Sequence, residues 1–77
     1  MNKDRRNRIA KVQSQLEELK AEIESIRDEE QEAYDNMPEG IQSSERGENI
    51  SEAIDALDSA VDSFEELDEY LTGATEH

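Results

Sequence analysis

The chain has 77 residues, no cysteine, and a net charge of −14 from 22 acidic and eight basic residues. A chain of this size buries only a thin hydrophobic core, and without cysteine neither a disulfide nor a thiolate zinc site can reinforce it. We therefore expect self-association or a partner protein to complete its stability. The acidic composition argues against direct binding to nucleic acid or to an anionic membrane and favours a protein partner with a basic surface.

The charge is unevenly distributed along the chain. Residues 1–11 contain five of the eight cations, and no lysine or arginine follows Arg46. High net charge with few aromatic residues is typical of disordered chains, but the regular apolar spacing described next argues for helices. No segment has the apolar core of a signal peptide or the roughly 18 apolar residues of a membrane span, so we expect a cytoplasmic protein.

The first long segment has apolar residues spaced alternately three and four positions apart, a pattern that supercoils helices around each other. The members of this seam are Ile9, Val12, Leu16, Leu19, Ile23 and Ile26. Its register continues through Glu30 to Ala33 and Met37, where the apolar pattern weakens. Because the residue before a proline disfavours the α-helical conformation, we expect a helix over about residues 3–35 that ends ahead of Pro38.

The segment 35–49 separates two helices. It contains the only proline and two of the three glycines, Gly40 and Gly47, which predicts a break in the helical pattern. We expect a loop over about residues 36–48, with Met37 and Ile41 closing this end of a hairpin.

A second helical pattern follows the break. Its apolar members are Ile50, Ile54, Leu57, Val61, Phe64, Leu67 and Leu71. Asn49 and Glu52 have the spacing of a capping box, which predicts a helix over about residues 49–72 with Gly73 as its C-cap. A start at Ser43 or Ser44, with glycine tolerated inside the helix, is the alternative.

Together the two patterns predict an all-α fold. We expect residues 1–77 to form one domain, an antiparallel coiled-coil-like hairpin that dimerises into a four-helix bundle. At 1.5 Å per residue the first helix is the longer one, so its basic end is predicted to overhang the second helix by about two turns. The cations there are expected to pair with the acids between Glu65 and Glu69 and so to set the register of the hairpin or of a dimer.

No residue pattern predicts catalysis. The only histidine is His77, and no serine has a histidine nearby in the sequence. Glycine-rich phosphate loops, EF-hand loops and Glu-x-x-His motifs are also absent. The pairs Glu52/Asp55 and Glu66/Glu69 have a spacing known from magnesium-dependent nucleotide pyrophosphohydrolases, but the apolar seam leaves no inward cluster of carboxylates. We expect neither an enzyme nor a bound metal or cofactor.

The second helix carries the candidate partner-binding residues. Its acids recur every three to four positions, which places a charge about every 5 Å along one stripe of the helix. The members are Asp55, Asp58, Asp62, Glu65, Glu66 and Glu69. A solvated helix face also explains such a stripe, but a face kept only for solubility usually mixes signs, and this one has no lysine. Since the stripe can imitate a row of DNA phosphates, we predict that it blocks a basic nucleic-acid channel on a partner.

The segments DEEQEAYDNMP and SSERGE carry the most specific part of a resemblance that covers most of the chain. It resembles short, acidic helical proteins of bacteriophages, prophages and other mobile elements. The resemblance implies a helical hairpin, in a setting where small acidic proteins often inhibit host enzymes or defence systems. It also makes Glu45, Arg46 and Glu48, in the predicted loop, a second candidate binding surface. The alternative function is that of an assembly adaptor or small subunit acting through the apolar seam.

Overall fold

The structure, a computed structural model, describes residues 1–77 and contains three helices and no strand. Helix α1 covers Lys3–Asp35, the one-turn helix α2 covers Glu39–Gln42, and helix α3 covers Glu45–Thr75. Helices α1 and α3 lie antiparallel and side by side along the whole molecule, which measures 58 × 16 × 12 Å. The prediction of an all-α helical hairpin is confirmed.

Helix α1 is continuous because its start is capped and nothing interrupts its interior. The side chain of Asn2 accepts a hydrogen bond from the backbone N–H of Arg5 at 2.9 Å, which satisfies one of the free donors of the first turn. Neither glycine nor proline occurs between its ends. The extended backbone at Pro38 prevents continuation into α2.

Helix α3 begins at Glu45, four residues before the predicted start at Asn49. Ser44 has an extended backbone and precedes the first helical residue, while its hydroxyl donates to the carbonyl of Ile41. Asn49 therefore lies inside the helix, and the prediction of a capping box with Glu52 is wrong. The alternative start at Ser44 is confirmed, and the predicted loop over residues 36–48 is correspondingly shorter and contains α2.

Close backbone packing at Gly47 explains the early start of α3. Gly47 is buried, and a Cβ on it would lie 2.6 Å from the Cα of Gln42 and closer still to the carbonyl group of that residue. Because glycine has no Cβ, α2 packs directly against the first turn of α3. The low helix propensity of glycine means that the sequence does not indicate a helix at this turn. Gln42 also donates from Nε2 to the carbonyl oxygen of Tyr34 at 2.9 Å, which ties α2 to α1. Met37 and Ile41 were predicted to close this end of the hairpin. Met37 is half-buried, whereas Ile41 remains exposed.

At the other end of the hairpin the two long helices finish together. Helix α3 passes through Gly73 without a positive φ angle and ends at Thr75, so the prediction of Gly73 as a C-cap is wrong. The amino group of Met1 donates to the carbonyl oxygen of His77, and Arg6 Nε donates to that of Thr75 at 2.9 Å. The predicted overhang of α1 is absent, because α3 has 31 residues and α1 has 33.

The hydrophobic core is thin and belongs to α3. Ile54 and Val61 are the only buried hydrophobic residues, with 8% and 6% of their surface exposed, and α1 has no buried residue. The residues of α1 that are half-buried at regular spacing are Ile9, Gln13, Leu16, Lys20, Ile23, Arg27, Glu30 and Tyr34. Apolar and polar positions alternate along most of this row, so only half of the predicted seam faces α3.

The other half of the seam lies outside the contact between the helices. Val12, Leu19 and Ile26 are all exposed. The prediction that they form one seam with the other apolar residues of α1 is wrong for the single chain. The contact is centred between the row of Ile9, Leu16 and Ile23 and the row of Gln13, Lys20 and Arg27. The second row meets polar partners on α3. On α3, Leu67 is likewise excluded, with 43% of its surface exposed.

Candidate partner-binding surfaces

Besides Arg6, which donates to the Thr75 carbonyl oxygen, three polar side chains of α1 spaced seven residues apart reach across to α3. The contacts join Gln13 to Thr72 at 3.0 Å, Lys20 to Glu65 at 3.0 Å and Arg27 to Asp58 at 3.2 Å. Since seven residues make nearly two helical turns, all three contacts lie on the same side of the hairpin, which we call the polar side. They fix the antiparallel register. Within the single chain the predicted pairing between the basic end of α1 and the acids of α3 is wrong, since no cation of residues 3–11 forms an ion pair with α3.

Lys20 is held in its charged form. Its hydrogen bond to the Glu65 carboxylate is the largest of several effects that raise its pKa, and the charges of Glu65, Glu24 and Glu17 add to it, whereas partial burial opposes it. The carboxylates around it therefore make Lys20 a stable cationic bridge between the helices.

Arg27 is the second cationic bridge. Partial burial, the largest single effect, lowers its pKa, but hydrogen bonds and charges from Asp28 and Asp58 together outweigh it, so the pKa is raised overall. Its guanidinium lies 3.3 Å from Asp28 and 3.2 Å from Asp58, and thus joins a carboxylate of its own helix to one of α3. The two bridges pair with Asp58 and Glu65, so these two members of the predicted acidic stripe help to hold α1 and α3 together.

The predicted acidic stripe divides into two rows. Asp58 and Glu65 face α1 and are engaged by its cations. The remaining members are exposed and form no ion pair: Asp55, Asp62, Glu66 and Glu69. Asp55, Asp62 and Glu69 are seven residues apart, so successive carboxylates of the outer row are spaced about 10.5 Å along the helix. The sequence pattern had suggested a charge about every 5 Å.

Carboxylates of α1 extend this outer row, and the sequence interpretation missed them. Glu17 and Glu24 follow Gln13 and Lys20 by four residues each, so they lie on the same face of α1. Glu17 and Glu69 both line a groove between the helices. We call the set of unpaired acids on the polar side the acidic surface: Glu17, Glu24, Asp55, Asp62 and Glu69.

The second predicted binding surface has a different location from the one expected. Glu45, Arg46 and Glu48 lie in the first turn of α3 instead of in a loop, and all three are exposed without an ion pair. The two glutamates are favourable there because the N-terminal end of a helix carries partial positive charge. They therefore have a structural role at the helix start, whatever else they contact.

Exposed apolar residues occupy the opposite side of the hairpin, which we call the apolar side. On α1 these residues are Val12, Leu19 and Ile26. Each lies one position before Gln13, Lys20 or Arg27, which is a rotation of about 100° around the helix. The exposed fractions are 44% for Val12, 55% for Leu19 and 39% for Ile26. On α3 the corresponding row consists of Ala53, Ala60, Leu67 and Ala74.

The apolar side is almost free of carboxylates. With the rows that border the helix contact, it includes Ile9, Val12, Leu16, Leu19, Ile23, Ile26, Glu30 and Ala33 of α1, and Ile50, Ala53, Leu57, Ala60, Phe64, Leu67, Leu71 and Ala74 of α3. Although 22 of the 77 residues are acidic, Glu30 is the only acid in this set. The acids of the chain are thus concentrated on the other faces of the hairpin.

No group of three or more His, Asp or Glu side chains is arranged to hold a metal ion. None of the helices combines the length and the apolar character needed to cross a bilayer. No protein-family model, curated protein or solved structure matches the chain. The fold and its surfaces define the protein as an all-α hairpin with one acidic and one apolar side.

Proposed function

We propose that the chain is a non-catalytic protein-binding module. It dimerises through its apolar side into a four-helix bundle and presents its acidic surface to a partner protein with a basic surface. The observation that supports this proposal is the separation of the two surfaces onto opposite sides of one hairpin. A dimer that covers both apolar sides leaves an acidic surface facing outwards on each of its two outer faces.

The exposed area of the single chain supports the dimer. The accessible surface is 5783 Å², whereas a compact monomer of this mass exposes about 4,800 Å². The excess of about 1,000 Å² is close to the roughly 800 Å² that each partner buries in an interface of standard size. A dimer also supplies the additional core that a chain with two buried hydrophobic residues lacks.

The charge of the acidic surface supports the choice of partner. Asp55, Asp62 and Glu69 have no cation nearby that neutralises them, and the whole chain carries −14. Such a field accelerates encounter with a basic protein surface and repels nucleic acid. In keeping with the resemblance to proteins of phages and mobile elements, the proposed target is a host defence or nucleic-acid-handling protein, inhibited by occupation of its basic channel.

The test compares two charge reversals of equal size. Asp55→Lys with Asp62→Lys changes the acidic surface, and Glu18→Lys with Glu32→Lys changes the outer face of α1 by the same net charge. The partner is captured from host lysate at low salt, identified, purified and titrated with each variant. We expect the first variant to lose at least about tenfold in affinity and the second about twofold or less.

The same titration is repeated at about 50 and 200 mM salt, where the wild-type affinity is expected to fall steeply. Equal losses in both variants would show that bulk charge, not the acidic surface, is recognised. An unchanged affinity in the Asp55/Asp62 variant would remove the acidic surface from the proposal.

A second candidate function is that of an adaptor or small subunit in a larger helical assembly. The exposed apolar side favours it, because a helix of a different protein can cover the same residues. In that case Leu19→Asp abolishes function, the charge reversals are tolerated, and the purified chain has the mass of a monomer, 8.8 kDa.

A further inference from the structure

The apolar side also indicates how two copies of the chain meet, an inference that rests on the dimer proposed above. We propose that α1 of each copy packs against α3 of the other copy, with both hairpin corners at the same end of the bundle. The two copies are then related by a two-fold axis parallel to the helices. The occupant of the apolar side is a second copy of this chain.

Side-chain size supports this pairing. The exposed row of α1 contains the large residues Val12, Leu19 and Ile26, whereas the middle of the α3 row contains Ala53 and Ala60. Facing helices pack to interior density when large side chains of one meet small side chains of the other. Packing α1 against α1 instead places large residues opposite large ones and leaves the alanine rows of α3 facing each other across a gap.

The register of the hairpin brings the complementary positions to the same level. The contacts of Gln13 with the Asp68 carbonyl oxygen and of Arg6 with the Thr75 carbonyl oxygen place Leu19 within about one helical turn of Ala60 along the long axis. By the same register, Ile26 lies near the level of Ala53. An axis parallel to the helices preserves these levels, so that Leu19 meets Ala60 of the partner subunit. An axis across the helices exchanges the two ends and removes the match.

Charge favours the apolar side as the contact between copies. Two chains of −14 each repel one another, and the polar side exposes carboxylates from both helices. The apolar side has Glu30 as its single acid and therefore avoids most of this repulsion. The same net charge disfavours an anionic membrane as the occupant.

The natural absence of cysteine makes disulfide cross-linking a direct test. Leu19→Cys and Ala60→Cys variants are prepared separately, then mixed, unfolded and refolded together, and oxidised. A disulfide forms only when the two Cα atoms lie within about 7 Å. We expect a covalent dimer in the mixture and little in either variant alone. A mixture of Ser14→Cys with Ala60→Cys measures random collision, because Ser14 faces away from the apolar side.

A size exchange provides the second measurement. Leu19→Ala and Ala60→Leu should each weaken the dimer at least about tenfold, and the double variant should recover most of that loss, because each large residue again meets a small one. Sedimentation equilibrium over a range of concentrations measures the three dimer affinities.

Each outcome decides a different point. Cross-linking in Leu19→Cys alone, or a double variant weaker than both single ones, overturns the pairing of α1 with α3 but leaves the dimer intact. A wild-type mass of 8.8 kDa at all concentrations up to about 100 µM overturns the dimer itself, because the Kd for dimerisation would then lie well above that concentration. The acidic surface is tested separately by the charge reversals.

Discussion

The polar and the apolar side of this hairpin are built from the same two helices but relate differently to the rest of the molecule. On the polar side, the long side chains of Gln13, Lys20 and Arg27 all find partners on α3. On the apolar side, Leu19 keeps 55% of its surface exposed, and its neighbours in the row are also open. The single chain thus pairs these three polar side chains internally and leaves a row of hydrophobic side chains exposed.

The largest expected effect is a change in the free energy of unfolding, and it distinguishes residues of the core from residues of the apolar side. Ile54→Ala removes one of two buried hydrophobic side chains and should lower the free energy of unfolding by about 2–4 kcal/mol. Leu19→Ala, at a protein concentration too low for the proposed dimer to form, should change it by less than about 1 kcal/mol, because that side chain is already exposed. Thermal unfolding followed by circular dichroism, at two concentrations, measures both. Equal losses at low concentration would mean that Leu19 belongs to the core of the single chain.

The next effect tests the corner between α2 and α3. Gly47→Ala should destabilise the hairpin by about 1–3 kcal/mol, because the new Cβ has no room against the backbone of Gln42. Gly73→Ala is the matched control, since it also lies inside α3 but has nothing within 4 Å of a Cβ. It should stabilise the protein by up to about 1 kcal/mol through helix propensity. A stabilising Gly47→Ala would contradict the early start of α3.

Salt should act on the two sides with opposite signs. Raising the salt concentration screens the repulsion between two chains of −14 each, so the dimer is expected to strengthen several-fold between about 50 and 200 mM salt. Binding of a basic partner to the acidic surface should weaken over the same range. Sedimentation equilibrium follows the first change and titration calorimetry the second. If both affinities fall together, the dimer contact is electrostatic and the apolar side is not its interface.

The smallest effect concerns the bridge between Lys20 and Glu65. Lys20→Met should lower the melting temperature by no more than a few degrees, because the pair is largely solvated. Since the folded-state pKa of Lys20 is raised, its contribution is complete below the ordinary lysine value of about 10.4 and is lost as the pH rises through the higher folded value. The melting temperatures of wild type and variant should therefore converge at strongly alkaline pH. A difference that instead grows with pH would contradict the raised pKa.

Much of the hairpin follows from local sequence, whereas its surfaces do not. The apolar spacing of both helices and the break at Pro38 predict two antiparallel rods, and the structure has them. The sequence left two starts of α3 open, because Gly47 resembles a helix breaker until its contact with Gln42 is known. The acidic stripe was also incomplete, since partners on another helix decide which acids remain unpaired.

The amino-acid sequence by itself determined the helices, their antiparallel return and the excess of negative charge, because periodicity, helix-breaking residues and composition are properties of the local chain. Only the tertiary structure decided which half of the apolar seam is covered. A rotation of α1 by a fraction of a turn places either Gln13 and Lys20 or Val12 and Leu19 against α3, and the sequence of α1 alone permits both. In the structure Gln13 and Lys20 face α3 and meet polar partners there, and the row of Val12 and Leu19 is exposed on the apolar side.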